Sequence, residues 1–302
     1  SFKCERHDAA GKSDSYFSWD LTKLNTSTSG SLTDVVEEIP GLSKVIAGDV
    51  IECQSVIEVD DLNFASHLNL DDVFPANSRR IEVTSELPAQ IRYDLQNGAP
   101  APIVQGNRLV WQLNNVAALP QHYPGQLLVD RTRQIRLARP MMNFYGKSYA
   151  VSSWDEVAAW KAAISRPHQV ADEALKAKVA QLTEGAKTDV IRATRLYDWV
   201  REEHRYVAIE LGKNGWEPHN ATDVARNKYG DCKDFANLYV TMLRTAGLKA
   251  ARVYVLTRPD GRISDTFPAP MVFDHVIAAV WLEDHWVFAD ATHKYLEMGL
   301  LR

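Results

Sequence analysis

The sequence predicts an α+β protein in which an N-terminal antiparallel β-sandwich is followed by a mixed core of helices and strands. Up to about residue 140, short runs of alternating apolar and polar residues are separated by polar turns, a pattern typical of β-sandwiches. From Ser153 onward, apolar residues recur every three or four positions, which indicates helices. Two strand-like runs follow these helices near the C-terminus, so the second region combines both types of element.

The first region contains several short segments with strand periodicity. In one of them Ile81 and Val83 alternate with polar residues, and turn-forming glycines follow Ala47, Asn97 and Gln105. We expect strands over residues 49–59, 80–87, 90–96 and 108–113. The basic residues between positions 131 and 136 alternate with Thr, Gln and Ile, which predicts the solvent-facing side of a further strand.

The second region begins with a helix start signal. Ser153 is followed three residues later by Glu156, the spacing of a capping box, and Val157, Trp160 and Ile164 then fall on one face. Further helices are expected over residues 172–182 and 188–203. The segment 140–152 separates the two patterns, so we predict a β-sandwich domain at residues 1–145 and a second domain at residues 146–302.

Length and composition are those of an ordinary globular protein. The chain has 302 residues, of which 45% are hydrophobic and 24% charged, enough for two domains with their own cores. A net charge of −5 argues against nucleic acid as a general partner. No run of 18 apolar residues occurs, so we expect no transmembrane segment. We also expect no signal peptide within these residues. Cys4 and Cys53 could form a disulfide in an oxidising compartment.

Cys232 stands at the start of the most strongly patterned helix in the sequence. Asp231 is a good N-cap residue, Asp234 completes a capping-box pattern, and Gly247 fits a left-handed C-cap. Cys232 then occupies the first helical position, where unpaired amides and the positive end of the helix dipole favour a thiolate over a thiol. A backbone N–H at this helix end can also bind an oxyanion. The structural alternative is a small buried cysteine on the apolar face.

His275 and Asp290 lie on two strand-like runs separated by residues 283–284. A two-residue turn there would pair Leu282 with His285 and would place His275 and Asp290 on the same sheet face as diagonal neighbours. A register shift of one residue would put them on opposite faces. Alone, each has a structural explanation, as a half-buried strand histidine or a turn-initiating aspartate. Their shared face, together with the helix-start cysteine, favours a catalytic triad.

A metal site is an alternative use of the same residue types, because Cys, His and Asp also bind zinc. The sequence contains no Cys-x-x-Cys and no His-Glu-x-x-His motif. We therefore expect neither a metal nor a cofactor. Among the remaining histidines, His285 is expected to face solvent next to the predicted turn, and His293 is given no role.

The motif Gly230-Asp231-Cys232-Lys233-Asp234, the helix that follows it, and the later His275 and Asp290 resemble the transglutaminase-like superfamily, over about residues 154–292. That superfamily has a papain-like α+β core with a Cys-His-Asp triad. Residues 206–212 and 216–219 are similar to a bacterial subgroup whose members carry an all-β domain of unknown function before the core. The resemblance implies that Cys232 is the nucleophile, His275 the base and acid, and Asp290 the residue that orients the histidine. It also implies an exported or periplasmic protein.

The reaction that the resemblance implies is acyl transfer on a protein or peptide amide through a thioester, ending in hydrolysis or in transamidation. The sequence does not distinguish these two outcomes. Related enzymes often use an upstream aromatic residue as an oxyanion donor, and Tyr206 and Trp216 are the candidates, although both fit packing roles equally well. The alternative function is a catalytically silent transglutaminase fold that serves as a binding or assembly module.

Overall fold

The computed structural model describes residues 2–17, 21–25, 31–33, 36–40, 46–55, 67–85, 91–120 and 127–301. Within these ranges the chain forms α1 (Trp154–Ser165), α2 (Glu173–Thr183), α3 (Asp189–Glu203), α4 (Ala221–Asn227) and α5 (Cys232–Thr245). The predicted capping box of Ser153 and Glu156 is confirmed, since both of its hydrogen bonds are present. Among the described residues, no helix combines the length and apolar character needed to cross a lipid bilayer.

Short strands make up much of the remaining described chain. In chain order they are β1 Phe2–His7, β2 Ser13–Phe17, β3 Leu21–Asn25, β4 Ser31–Thr33, β5 Val36–Pro40, β6 Val50–Ser55, β7 His67–Asn69, β8 Ala76–Thr84, β9 Arg92–Gln96, β10 Ile103–Gln105, β11 Arg108–Val116, β12 Gln134–Ala138, β13 Met141–Phe144, β14 Lys147–Ala150, β15 Arg205–Tyr206, β16 Ala208–Glu210, β17 Tyr229–Gly230, β18 Ala250–Val255, β19 His275–Leu282 and β20 His285–Ala289. Parallel pairing joins β15 to β17 and β16 to β4.

The chain divides into two compact units, residues 1–60 with 207–215 and residues 61–206 with 216–302. The first unit contains the antiparallel sheet β2-β1-β6, the pair β3-β5 and the pair β4-β16. In the register of β1 with β6, Cys4 lies directly opposite Cys53. The boundary predicted after residue 145 lies inside the second unit, and the N-terminal β-sandwich stays a prediction.

The second unit includes two three-stranded antiparallel sheets, β10-β11-β8 and β7-β12-β9. Apolar side chains of both sheets meet in one cluster, where Trp111 of β11 and Ile135 and Leu137 of β12 are almost fully buried. Strong burial of this kind fixes the strand register, because a shift of one residue would turn these side chains towards the opposite face.

The prediction that residues 131–136 form the solvent-facing side of a strand is wrong. Strand β12 is the central strand of its sheet, and Gln134 and Arg136 are only 8% and 5% exposed. The Gln134 amide donates to Asn69 Oδ1 at 2.9 Å, whereas Nε of Arg136 is buried without a hydrogen-bond partner. Polar alternation predicts an exposed face only where a sheet face is open to solvent, which sequence periodicity does not reveal.

Helix α5 is the centre of the largest apolar cluster in the second unit. Its side chains pack against α2, α3, α4 and the antiparallel sheet β18-β19-β20. Leu238, Tyr239, Met242 and Leu243 of this helix have no exposed surface. Each such side chain contributes about 1.5–3 kcal/mol of burial free energy, so the helix is held firmly in place. The predicted mixed α+β core is confirmed, and Gly247 ends α5 with a φ of +81°.

Candidate active site

Cys232 is the first residue of α5, as predicted. Asp231 is the N-cap, and the capping box with Asp234 is complete. Gly230 must be glycine here, because an added Cβ would lie 2.7 Å from the Cβ of the buried Asp234. These contacts fix the backbone on both sides of Cys232, whose side chain is partly exposed. The sulfur is therefore presented at the helix end where free amides and the helix dipole stabilise negative charge.

The hairpin of β19 and β20 brings His275 towards Asp290. Its register pairs Leu282 with His285 and Ala279 with Phe288, which confirms the predicted register. The two turn residues between the strands have φ values of 47° and 64°, as in a type I′ turn. Nε2 of His275 lies 2.9 Å from Oδ2 of Asp290. The predicted sharing of one sheet face is thus realised as a hydrogen bond.

Asp290 is itself held by neighbouring groups. Its Oδ1 accepts hydrogen bonds from the backbone N–H of Thr292 at 3.0 Å and from the Thr292 hydroxyl at 2.6 Å. Burial opposes ionisation, but the hydrogen bonds from His275 and Thr292 outweigh it and lower the pKa of Asp290. The Tyr197 hydroxyl donates to the backbone carbonyl of Asp290 at 2.8 Å. The carboxylate is therefore ionised and fixed in orientation.

The imidazole of His275 lies between a carboxylate and a thiol. Asp290 lies 2.9 Å from its Nε2, and Cys232 is close enough to act on the pKa of the ring. Because Nε2 contacts Asp290, Nδ1 is the ring nitrogen left to face the sulfur. Burial alone would lower the pKa of His275, but the hydrogen bonds and negative charges of Asp290 and Cys232 raise it to about 10. The histidine is thus positively charged at neutral pH, which is the form that stabilises a thiolate beside it.

A second histidine–aspartate pair lies on the same helix end. Asp234 is fully buried, and its two oxygens accept from the His219 backbone N–H at 2.7 Å and contact His219 Nδ1 at 3.0 Å. The hydrogen bond to Asp234 raises the pKa of His219. Burial acts to raise the pKa of Asp234, but the hydrogen bonds from His219 and the charge of Lys233 outweigh it and lower this pKa. Sequence reasoning had assigned Asp234 only to the cap, and this pair ties the segment before α4 to the start of α5.

A cavity of about 720 Å³ lies next to His275 and Asp290. Its wall is formed mainly by the end of β18 and the residues after it, with Val255, Leu256, Thr257, Arg258, Pro259, Ile277, His293 and Leu301 among the lining residues. His293, for which we predicted no role, is one of them. Burial is the main cause that raises the pKa of the nearby Tyr254 phenol, and Arg252 acts against it.

Comparison with protein-family models matches residues 176–291 to the transglutaminase-like superfamily. Residues 176–291 form a transglutaminase-like domain. All three predicted triad residues fall inside this range. The family predicted from the motif around Cys232 is thereby confirmed for this part of the chain.

Curated relatives match over a similar stretch. The kyphoscoliosis peptidase of Homo sapiens is 27% identical over 115 residues, which cover 38% of this chain and 17% of that protein. Its counterpart in Mus musculus is 28% identical over 118 residues, with the same coverage. The chain thus spans 17% of the length of these relatives.

A similar structure extends beyond the transglutaminase-like domain. The crystal structure of a candidate protease from Parabacteroides distasonis superimposes with a TM-score of 0.63 at 12% sequence identity, covering 96% of this chain and 57% of that one. At this identity the likeness shows the fold alone.

The two aromatic residues predicted as oxyanion donors have different surroundings in the transglutaminase-like domain. Tyr206 is partly exposed and lies opposite Gly230 in the parallel pair β15-β17, with its ring 6.1 Å from that of Phe235. Trp216 packs into the cluster that contains Trp160, with ring centroids 6.3 Å apart. Their predicted role stays a prediction. In the part of the chain that the structure describes, no three His, Cys, Asp or Glu side chains converge as metal ligands.

Proposed function

We propose that this protein is a cysteine enzyme that transfers the acyl group of a protein or peptide amide, with Cys232, His275 and Asp290 as its triad. The proposal rests on the position of the His275 ring, whose Nε2 lies 2.9 Å from Asp290 and whose pKa is raised by both Asp290 and Cys232. A helix N-terminus at the sulfur and a charged imidazole beside it are the conditions under which a cysteine becomes a strong nucleophile.

The reaction follows from these groups. The Cys232 thiolate attacks the amide carbon, and the carbonyl oxygen becomes an oxyanion next to the backbone N–H groups that begin α5. The C–N bond then breaks, and His275 gives its proton from Nδ1 to the departing amine, which leaves a thioester on Cys232. Water or a primary amine next attacks the thioester, His275 takes up the proton of that nucleophile, and the thiolate leaves. Water gives hydrolysis, and an amine gives transamidation.

Asp290 acts on the histidine and not on the substrate. Its hydrogen bond to Nε2 fixes the ring so that Nδ1 faces the sulfur, and its charge stabilises the imidazolium. A cavity of about 720 Å³ borders His275 and Asp290. We propose that the leaving or entering amine lies there, and the largely apolar wall of Val255, Leu256, Pro259 and Ile277 favours an amine on an apolar side chain.

Export of the chain belongs to the same proposal. It is supported by the register of β1 with β6, which places Cys4 opposite Cys53. Such a pair forms a disulfide readily in an oxidising compartment, whereas cytosolic thiols are kept reduced.

Selective labelling tests the nucleophile. The protein and its Cys232→Ala variant are treated with iodoacetamide at about pH 6, and the modified peptide is followed by mass spectrometry over time. We expect Cys232 to react at least tenfold faster than the same cysteine in the urea-unfolded chain. A rate equal to that of the unfolded chain would favour the alternative, a transglutaminase fold that acts only as a binding or assembly module.

A second experiment identifies the reaction. A library of glutamine-containing and other peptides is incubated with the protein, with and without a primary amine such as cadaverine. Mass spectrometry distinguishes cleavage, deamidation and an amine adduct. The Cys232→Ala variant is the control, and products that persist in it would show that Cys232 is not the nucleophile.

A further inference from the structure

Four cationic side chains line a cavity in the second unit that is separate from the 720 Å³ cavity beside the triad. The cavity has a volume of about 180 Å³ and lies between α1, the C-terminal part of α5 and β18. Its cations are Lys161, Arg166, Arg244 and Arg252, and no Asp or Glu is among its lining residues. A positive cavity of this kind is unexpected in a chain with a net charge of −5.

Lys161 is a buried basic side chain with no carboxylate partner in the described part of the chain. It is 4% exposed. Its ammonium instead lies 4.2 Å from the ring centroid of Trp160 and 4.8 Å from those of Trp216 and Tyr254. Aromatic faces compensate only part of the cost of burying a charge. Burial and the charge of Arg252 accordingly lower the pKa of Lys161 to about 7.

The arginines are held in place by neutral groups. Nη2 of Arg252 donates to the Lys161 carbonyl at 3.1 Å and to the Tyr254 hydroxyl at 2.7 Å, whereas Nη1 is buried without a partner. Arg244 donates to the Ala250 carbonyl at 2.8 Å and to Gln169 Oε1 at 2.6 Å. Side chains fixed in this way present guanidinium charge to the cavity at little further cost in conformational entropy.

The four charges repel one another along a chain of neighbours. Burial is the main cause of the lowered pKa values of Lys161, Arg252 and Arg244. A neighbouring positive charge lowers each pKa further. This charge is Arg252 for Lys161, Arg244 for Arg252 and Arg166 for Arg244. Asp234 acts on Arg252 in the opposite direction, as does the phenol of Tyr254. Repulsion among like charges destabilises the folded chain, and a bound anion would reduce this repulsion.

We propose that this cavity binds a small oxyanion and that a phosphate group is its ligand. Arginine forks match the oxygen geometry of phosphate, and a dianion neutralises several clustered cations better than a single carboxylate does. The volume of about 180 Å³ is many times the roughly 10–15 Å³ that one water requires by this measure. The site therefore has room for a phosphate with part of its hydration.

Calorimetric titration with inorganic phosphate at constant ionic strength and pH 7 tests the proposal. We expect one saturable site whose affinity falls at least tenfold in Lys161→Met, a variant that keeps an apolar stem among the aromatic rings. The matched control is Lys176→Met, which removes an exposed lysine paired with Glu173 on α2 and should leave phosphate affinity unchanged. Arg166→Gln, at an exposed position that does not endanger folding, should weaken phosphate binding at least threefold.

Three results would overturn the proposal. The first is the absence of saturable phosphate binding to the intact chain. The second is equal phosphate affinity in the wild type, Lys161→Met and Arg166→Gln. The third is succinate binding as tightly as phosphate, because the ligand would then be a carboxylate and the assignment of phosphate wrong. None of these measurements depends on Cys232, so the proposed catalytic function is tested separately.

Discussion

Nε2 of His275 lies 2.9 Å from Oδ2 of Asp290, and this contact leaves only Nδ1 to face the sulfur of Cys232. One hydrogen bond thus determines which ring nitrogen takes part in proton transfer. Because it also raises the pKa of the histidine, it couples ring orientation to charge.

Replacing Asp290 with Asn tests this coupling. The pKa of His275, raised to about 10 in the native protein, should fall by about one unit or more when the neighbouring negative charge is removed. The imidazolium is then lost at lower pH, and acyl-transfer activity should fall about a hundredfold or more. NMR titration of the His275 ring measures the pKa directly. Asp284→Asn, in the turn of the same hairpin, should change neither quantity; an unchanged pKa in Asp290→Asn would contradict the assignment.

Thr292→Val should weaken the support of the triad without touching the substrate. The hydroxyl donates to Asp290 Oδ1 at 2.6 Å, and a hydrogen bond to a charged group contributes about 1.5–3 kcal/mol. We expect a loss of that order in the free energy of unfolding, measured by urea denaturation, together with a higher pKa of Asp290. Thr245→Val removes a hydroxyl that donates only to a backbone carbonyl in α5 and serves as the comparison, with a smaller loss expected.

Gly230→Ala should disturb the start of α5. The added Cβ would lie 2.7 Å from the Cβ of Asp234, and such overpacking costs about 1–3 kcal/mol. Labelling of Cys232 should slow in parallel, because the backbone next to it must move. Gly247→Asn, at the other end of the helix, meets open space and a left-handed backbone that Asn tolerates. If Gly230→Ala were no more destabilising than Gly247→Asn, the close packing would not constrain the nucleophile.

We expect burial of His204 to make the stability of the fold sensitive to acid. The ring packs against Trp199 and Phe235, and burial together with the charge of Lys228 lowers its pKa from 6.5 to about 4. A depressed pKa means that folding favours the neutral ring. Its stabilising contribution is complete above pH 6.5 and is lost as the pH falls towards 4. The loss is at most about 3 kcal/mol.

The measurement for His204 is a comparison of slopes. The free energy of unfolding is determined between pH 7 and 4 for the wild type and for His204→Asn, in which the side chain does not titrate. Other groups titrate in both proteins, so their contribution cancels in the difference. We expect the wild type to lose more stability than the variant; parallel curves would show that His204 is not protonated on unfolding.

Cys4 and Cys53 should be joined when the chain is made in an oxidising compartment. Their opposed register allows a disulfide that closes a long loop, and such bonds typically stabilise by about 2–4 kcal/mol. Peptide mapping without reduction should find the linked peptides, with Cys232 as the remaining free thiol. The Cys53→Ser variant keeps the proposed nucleophile. It should unfold at a lower urea concentration than the wild type under non-reducing conditions, and at the same concentration once the wild type is reduced. Three titratable thiols in the oxidised protein would contradict this prediction.

The features predicted correctly from sequence are those set by local chemistry. The capping box before Cys232 involves residues three apart, and the register of β19 with β20 is fixed by a two-residue turn. Features that depend on distant partners were missed or wrong. Burial of Arg136 follows from the position of β12 inside its sheet, and the contact of His219 with Asp234 joins segments that no periodicity relates. The cationic cavity likewise gathers side chains from α1, α5 and β18. The support of Asp290 by Thr292 was also missed, although the Asp-x-Thr spacing is typical of a local side-chain turn.

Asp234 has no exposed surface, and its two oxygens are shared by donors from the start of α5 and from the segment before α4. A displacement of residue 219 would therefore be transmitted, through this one buried carboxylate, to the backbone that carries the sulfur. We therefore expect a substitution at residue 219 to change the reactivity of Cys232 as well.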